Sequence, residues 1–340
     1  MGQSSPAAEP IDIDGALARL VGRIHTTPLL HSRLLDQRLG ARLWLKAECF
    51  QRAGSFKARG AFNAALVGLE GGDRRGLVAI SSGNHGQALA LAASELDLRA
   101  VVVMPESASP VKMAAVRGYG AEVVSEGVHM LNRERVATDL ATARGMRIVH
   151  PHDDPHVISG QATVGCELAG QLRARGVEAP LVLVPLGGGG LLSGMALALR
   201  RELPRARVVG VEPEASNDGL LSLAQGSRVS LSKPPRTVAD GAATLRLGQL
   251  CWEVISAEVG EIVTVTDRQL ADALWWLWTR CKLLVEPTGA LAVAAALGGA
   301  SRSLSEGGSS EVVCVISGGN CLPQQISELV ARRTEETGAA

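Results

Sequence analysis

The stretch Leu181-Val182-Leu183-Val184-Pro185-Leu186-Gly187-Gly188-Gly189-Gly190-Leu191 decides the fold. Its first five residues form a continuous apolar run of strand length, as in parallel strands covered on both faces. Four glycines end the run, and residues 191–201 then carry apolar side chains at helical spacing. A strand, a glycine turn and a helix in this order aim backbone N–H groups and the positive end of the helix dipole at one point, where an anion can bind. No Gly-Lys-Ser/Thr follows, so the turn is not a Walker A loop. No register satisfies G-x-G-x-x-G/A, although Glu212 ends the next strand about 20 residues on, where a ribose-binding acid would lie. The open readings are a phosphate cradle, a dinucleotide site and a flexible turn, and the pattern favours the cradle.

The same alternation runs outward in both directions. Upstream, strands are predicted at 77–80, 100–104, 121–124 and 147–149, with helices at about 87–94, 111–118 and 131–143. Downstream come a helix at 157–175, a strand at 207–211 and helices near 217–224, 268–281 and 287–297, then a strand at 311–316 and a helix at 322–332. Residues 11–24 have amphipathic helical spacing, 26–30 turn the chain, and 42–47 alternate like a half-buried strand containing Lys46. Residues 1–10 and 334–340 are expected to be unstructured, and 298–310 to be a small-residue loop. This is an α/β chain of two open-sheet domains with mostly parallel strands. The large domain is predicted from 1–75 and 153–340, the small one from 76–152.

Composition narrows the function. Lys+Arg and Asp+Glu are 34 each, with one Tyr and three Phe. Zero net charge and few aromatics give no basis for binding nucleic acid or an anionic membrane. The six cysteines form no C-x-x-C pair and mostly sit in apolar runs, as in a reduced protein. There is no signal-peptide pattern, and no apolar run of the ~20 residues a membrane span needs. A cytoplasmic location is expected.

Of five lysines against 29 arginines, Lys57 alone stands between glycines at a helix start, in Gly54-Ser55-Phe56-Lys57-Ala58-Arg59-Gly60. Ser55 is a suitable N-cap, and the dipole at a first turn favours a neutral, nucleophilic amine. The plain alternative is a solvated surface lysine. Two further glycine-rich stretches follow predicted strands: Ser81-Ser82-Gly83-Asn84-His85-Gly86 and Ser317-Gly318-Gly319-Asn320. Each is either a carboxylate-binding loop or a simple connection. His150-Pro151-His152-Asp153-Asp154-Pro155-His156 invites a metal reading, but it lacks an i, i+4 ligand pair and two prolines make it a loop.

The ordered set S-F-K-x-R-G-A, S-S-G-N-H-G-Q-A, G-G-G-G-L, E-P-T-G-A and S-G-G-N resembles the fold-type II pyridoxal-phosphate enzymes of the serine/threonine dehydratase and serine racemase family. The likeness runs from about residue 24 to 329 and implies a tryptophan synthase β-like architecture. It implies that Lys57 carries pyridoxal 5'-phosphate covalently, with Phe56 against the ring, Asn84 on the ring hydroxyl and Glu286 in the same pocket. Gly187, Gly188, Gly189, Gly190 and Leu191 would hold the phosphate, and Ser317 would face the ring nitrogen. A serine there makes a weaker electron sink than a carboxylate and favours prompt loss of a β-leaving group. Ser81, Gly83, Asn84 and His85 would hold the substrate carboxylate. Lys57 would remove the Cα proton, the β-hydroxyl would leave, and an enamine would hydrolyse to a 2-oxo acid and ammonia.

By the same resemblance, Ser82 occupies the place of a second base in serine racemases, which dehydratases share. Glu212, Ser216 (through its carbonyl) and Asp218 match a divalent-cation site suited to Mg2+ or Ca2+; the plain reading is a strand end and a helix cap. Arg133 aligns with a substrate-side arginine of serine racemases and would suit a dicarboxylic substrate, against a plain surface-helix reading. The spacing of 239–248 is that of threonine dehydratases, and Cys321 replaces a usual aliphatic residue. The implied activity is dehydration and deamination of L-threonine or L-serine by a homodimer or dimer of dimers. Serine racemase and hydroxyaspartate or ectoine-degradation dehydratase are the alternatives within the family. No isoleucine feedback is expected. From other classes, an oxidoreductase is disfavoured by the failed dinucleotide pattern, and a silent binder would be colourless and unmodified by borohydride.

Overall fold

The computed structural model describes residues 9–337 except 82, 109, 130 and 300–309, with side chains to residue 331. The strands are β1 (Leu29–His31), β2 (Arg42–Ala47), β3 (Leu77–Ile80), β4 (Ala100–Val103), β5 (Glu122–Val124), β6 (Arg147–Ile148), β7 (Leu181–Pro185), β8 (Arg207–Pro213), β9 (Glu261–Val265) and β10 (Glu311–Ile316). They form a six-stranded sheet in the order β1-β2-β10-β7-β8-β9 and a four-stranded sheet in the order β5-β4-β3-β6. Among these pairs β1–β2 is antiparallel and every other is parallel.

Helices α1 (Ile13–Leu20), α2 (Arg33–Leu39), α3 (Lys57–Glu70), α4 (Asn84–Glu95), α5 (Pro110–Gly118), α6 (Arg133–Arg144), α7 (Pro155–Arg173), α8 (Gly190–Glu202), α9 (Asp218–Gln225), α10 (Gln249–Glu258), α11 (Asp267–Thr279), α12 (Leu291–Leu297) and α13 (Pro323–Thr337) surround the sheets. Alternation along the strands divides the large core in two. Leu43, Leu45, Leu181, Leu183, Val312 and Cys314 pack with α2, α11 and α12. Trp44, Val182, Val184, Val313 and Val315 pack with α7, α8 and α10 on the opposite face. Covering both faces is what makes these strands read as unbroken apolar runs. The small sheet repeats this on a smaller scale. Ala79 and Val102 meet α3 and α4, while Val78 and Val101 meet α6.

Several local expectations need correction. Strand β2 is not half-buried: Lys46 and its neighbours from Leu43 onward are all buried, because α7 covers the face that alternation assigned to solvent. Ser55 is not the N-cap of α3. It is extended and bridges Gly318, Phe56 takes the cap position, and Ser55 Oγ has no hydrogen-bond partner among the described residues. Residues 287–297 divide into a 3-10 turn (Pro287–Ala290) and α12. Residues 334–337 continue α13 rather than fray, while 1–8, 338–340 and most of 298–310 lie outside the described residues. Strands β1 and β9 and helices α2 and α10 were not legible. The edge strand β9, for example, buries only Ile262 and Val265.

The site follows from topology. After β7 the chain moves one way across the large sheet to β8 and β9, whereas β10 joins on the other side of β7. The reversal opens a crevice beyond the carboxyl ends of these two strands, where open α/β sheets bind ligands. The glycine turn after β7 and Ser317 after β10 therefore lie side by side.

Candidate active site

One cavity of about 210 Å3 gathers Lys57, Ser81, Asn84, the four glycines and Ser317 from separate parts of the chain. Its floor is the start of α3. The Phe56 N–H donates to Ser317 O (3.1 Å), so the first turn of α3 is tied to the end of β10. Lys57 Nζ donates to Pro151 O (2.7 Å) and lies 4.9 Å from the Phe56 ring centroid. The exposed part of Lys57 faces this cavity. Desolvation lowers its pKa to about 8, against small opposing effects of Cys251 and Glu286. Burial, more than the helix dipole invoked from sequence, makes the amine available in its neutral form.

The glycine turn is shaped by what surrounds it. Gly189 has φ +104, a conformation open to glycine and costly for other residues. A Cβ there would stand 2.6 Å from Cys251 Cβ, and one on Gly188 would stand 2.3 Å from the His152 ring. Backbone N–H groups rather than side chains therefore form this wall, at the N-terminus of α8.

Opposite the turn, Asn84 opens α4 and is held on both sides. Its Nδ2 donates to Glu286 Oε1 (2.6 Å), and its Oδ1 accepts from Asn320 Nδ2 (2.8 Å). The second Nδ2 hydrogen is left for a ligand. Burial raises the Glu286 carboxyl to about 7. Ser81 Oγ accepts from Gly83 N (3.2 Å), folding the loop before α4. His85 Nε2 meets Val149 O (2.9 Å) and so carries the hydrogen. Burial drops its pKa to about 3, leaving a neutral ring committed to the end of the small sheet. Ser82 lies outside the described residues.

Glu212 and Asp218 lie apart from the cavity, both fully buried. Glu212 accepts from Gly219 N and Leu220 N, each at 2.9 Å. Both Asp218 oxygens lack a hydrogen-bond partner among the described residues. Burial raises Asp218 to about 7 and, with the Asp218 charge, raises Glu212 to about 8. The Ser216 hydroxyl is engaged with Ala242 O (2.9 Å) and Thr244 O (3.1 Å). Two buried carboxylates with orphaned acceptors are the donor chemistry of a hard cation.

The histidine-rich stretch is a structural junction. His150 Nδ1 accepts from Asp153 N (2.8 Å), Asp153 caps α10 through Gln249 N and Leu250 N (both 2.8 Å), and Asp154 caps α7. Sequence reasoning missed Pro151, His152, Lys112, Asp240 and Thr288 as cavity residues. Only contacts between distant segments bring them there. Arg133, read as a surface-helix residue, lines the cavity beside Lys112, which pairs with Asp240.

A family model described as "Pyridoxal-phosphate dependent enzyme" matches residues 21–318. The chain is 41% identical over 327 residues to the L-threo-3-hydroxyaspartate ammonia-lyase of Saccharomyces cerevisiae, covering 95% of this chain and 97% of that one. It is 41% identical to the serine racemase of Schizosaccharomyces pombe, over 91% and 93% of the two chains. The structure of maize serine racemase superposes with a TM-score of 0.88 at 34% identity, covering 97% of this chain and 100% of that one. A solved bacterial-type threonine deaminase (T.th.) superposes with a TM-score of 0.86 at 48% identity, covering 91% of this chain and 97% of that one.

Proposed function

The chain belongs to the pyridoxal-phosphate dependent enzymes, and we propose that it is an ammonia-lyase that dehydrates and deaminates a β-hydroxy amino acid, L-threonine or L-serine, to a 2-oxo acid and ammonia. The observation that carries this reading is Lys57, with its pKa lowered to about 8, opening into one cavity with a glycine cradle that excludes side chains. That arrangement fits pyridoxal 5'-phosphate, and the cofactor, when bound, supplies the electron sink for the substrate Cα. Phe56, Lys57, Asn84, Glu286 and Ser317 would hold its ring end, and Gly187 to Gly190 with Leu191 its phosphate. Ser81, Gly83, Asn84 and His85 would hold the substrate carboxylate, His85 through its main chain because its ring is engaged elsewhere. Neutral Lys57 Nζ takes the Cα proton. Asn320 and Glu286 keep the Asn84 amide turned with N–H toward the ligand.

Gly189→Ala is expected to weaken cofactor binding at least about tenfold through the disfavoured φ and the contact with Cys251. Equilibrium dialysis of the cofactor-free protein measures this; unchanged affinity would remove the cradle from the reading.

A second reading, a dicarboxylic substrate such as 3-hydroxyaspartate, is favoured by Arg133 and Lys112 at the cavity wall. The yeast relative's name agrees with it. A guanidinium there can take a second carboxylate in bidentate fashion. Arg133→Ala is then expected to lower kcat/KM for 3-hydroxyaspartate roughly 10- to 100-fold and for L-serine only about threefold. Assays on L-Thr, L-Ser, D-Ser and both hydroxyaspartate diastereomers, scoring 2-oxo acid release and Cα inversion separately, test both readings and the racemase alternative. Equal losses on serine and hydroxyaspartate would discard the dicarboxylate reading.

Glu212, Ser216 and Asp218 are proposed to hold Mg2+ or Ca2+ away from the reacting atoms. The division into 1–75 with 153–340 and 76–152, assembly as a homodimer or dimer of dimers, and a cytoplasmic location complete the proposal. Among the described residues no helix is long and apolar enough to cross a membrane.

A further inference from the structure

Behind α3, on the side away from the cavity, lies a second cluster of charges. Arg59 is fully buried, and its guanidinium grips Glu48 with two bonds, Nε to Oε2 and Nη2 to Oε1, both 2.8 Å. It also reaches Glu167 Oε2 (3.1 Å) and Thr163 Oγ1 (3.2 Å) on α7. Glu167 in turn takes Lys46 Nζ and Thr27 N, and Lys46 reaches Thr27 O (3.0 Å) and Gln171 Oε1 (3.1 Å). Two cations and two anions thus close a hydrogen-bonded ring that joins β2, α3, α7 and the chain leading into β1. Burial works against the charges of Arg59 and Glu167, but their partners outweigh it. The pKa of Arg59 is raised and that of Glu167 lowered, so both remain ionised.

Such a cluster is a poor way to obtain stability, because well-packed apolar residues often serve as well or better. What it supplies is direction. Lys57 and Arg59 are two residues apart in the first turn of one helix, hence about 200° apart around its axis. Lys57 faces the cavity and Arg59 the ionic ring. At the same turn α3 and α7 touch backbone to backbone: a Cβ on Gly160 would stand 2.6 Å from Arg59 O and from Gly60 Cα. That contact sets the distance between the helices, and the two-pronged grip on Glu48 sets the rotation of α3 about its own axis. Side-chain tips lie roughly 5–6 Å from a helix axis, so a 10° rotation would carry Lys57 Nζ about 1 Å. An error of that size costs on the order of 100-fold in rate.

We propose that Arg59, acting through Glu48 and Glu167, is a positioning residue that holds the first turn of α3 in the one rotation that delivers Lys57 Nζ to its working place. The proposal rests on the assignment of Lys57 as the proton-moving group, which Lys57→Ala tests separately.

The experiment uses the full chain loaded with pyridoxal phosphate and compares the charge-balanced double variant Arg59→Met/Glu48→Gln with Leu172→Ala. Leu172 is a fully buried core residue on α7, and its truncation lowers Tm without touching the ring. The double variant is expected to lose about 10- to 100-fold in kcat with KM within about threefold, whereas Leu172→Ala keeps kcat. A readout besides turnover is the pH dependence of acylation of Lys57 by an amine-selective reagent in cofactor-free protein. Its midpoint is expected to move from about 8 toward the ordinary lysine value in the double variant and to stay in place in Leu172→Ala. If the double variant does not fold, Arg59→Lys, which keeps the charge but loses the fork, is expected to show the same pattern more weakly. Retention of kcat and of the acylation midpoint in a folded ring variant would overturn the proposal. So would equal kcat losses in the ring variant and Leu172→Ala.

Discussion

Lys57→Ala is expected to reduce 2-oxo acid release from any hydroxyamino acid substrate by at least about 1000-fold, since it removes a group acting as both covalent anchor and base. The loss should fall on kcat rather than KM, because the residues assigned to the carboxylate, Ser81 to His85, are untouched. The visible absorbance of the loaded protein should disappear, and borohydride should no longer modify the peptide around residue 57. Stability should not fall in parallel. Lys57 prefers its neutral form in the fold, with a pKa lowered to about 8 from 10.5. Below pH 8 the folded protein must accommodate a charge there that the unfolded chain solvates freely. Replacing the amine removes that cost, so Tm near neutral pH is expected to hold or rise as activity vanishes. A variant that stays coloured and turns over would sink the assignment of Lys57.

A large response to divalent cation, growing with pH, is the second expectation. Glu212 and Asp218 have folded pKa values raised to about 8 and about 7 from 4.5 and 3.8. A carboxyl whose folded pKa lies above its unfolded value binds more protons folded than unfolded between the two. Stability of the cation-free protein therefore declines as pH rises from about 4 to about 8. At about 1.4 kcal/mol per pKa unit, the pair represents on the order of several kcal/mol. A bound Ca2+ or Mg2+ reverses the balance, because it requires both groups ionised. Tm should thus rise little on adding cation at pH 5.5 and several degrees at pH 8.5. Asp218→Asn should abolish the response and, without cation, be more stable than the parent at pH 8.5. Thermal melts in chelator, Ca2+ and Mg2+ at the two pH values make the comparison. A shift independent of pH, or none, would return these residues to the role of strand end and helix cap.

The α/β class was legible because its signals are local. Residues 181–185 and 311–316 read as strands from their apolar runs alone, and both coincide with β7 and β10. Glycines after β7 and β3 marked where the chain turns at a strand's carboxyl end. The reading failed where an element owes its form to distant partners. Lys46 looked like the solvent side of a half-buried strand, yet Glu167, 121 residues away, neutralises it in the core. Ser55 looked like a helix cap, but pairing with Gly318 draws it into an extended form. Arg133 looked like a surface residue, and the fold turns the start of α6 toward the cavity.

By itself, then, the sequence determined the parallel α/β architecture and picked out Lys57, the tetraglycine, Asn84 and Ser317 as one chemical set. Those features depend on side-chain period, glycine geometry and motif order along a few residues. The tertiary structure decided the state of the groups. It desolvates Lys57, turns the Asn84 amide between Glu286 and Asn320, buries the Asp218 carboxyl beside Glu212 and sets Arg59 opposite Lys57 against Glu48. Each of these depends on dielectric and on contacts between segments far apart in the chain. Residue types and spacing carry no measure of either until the backbone brings the segments together.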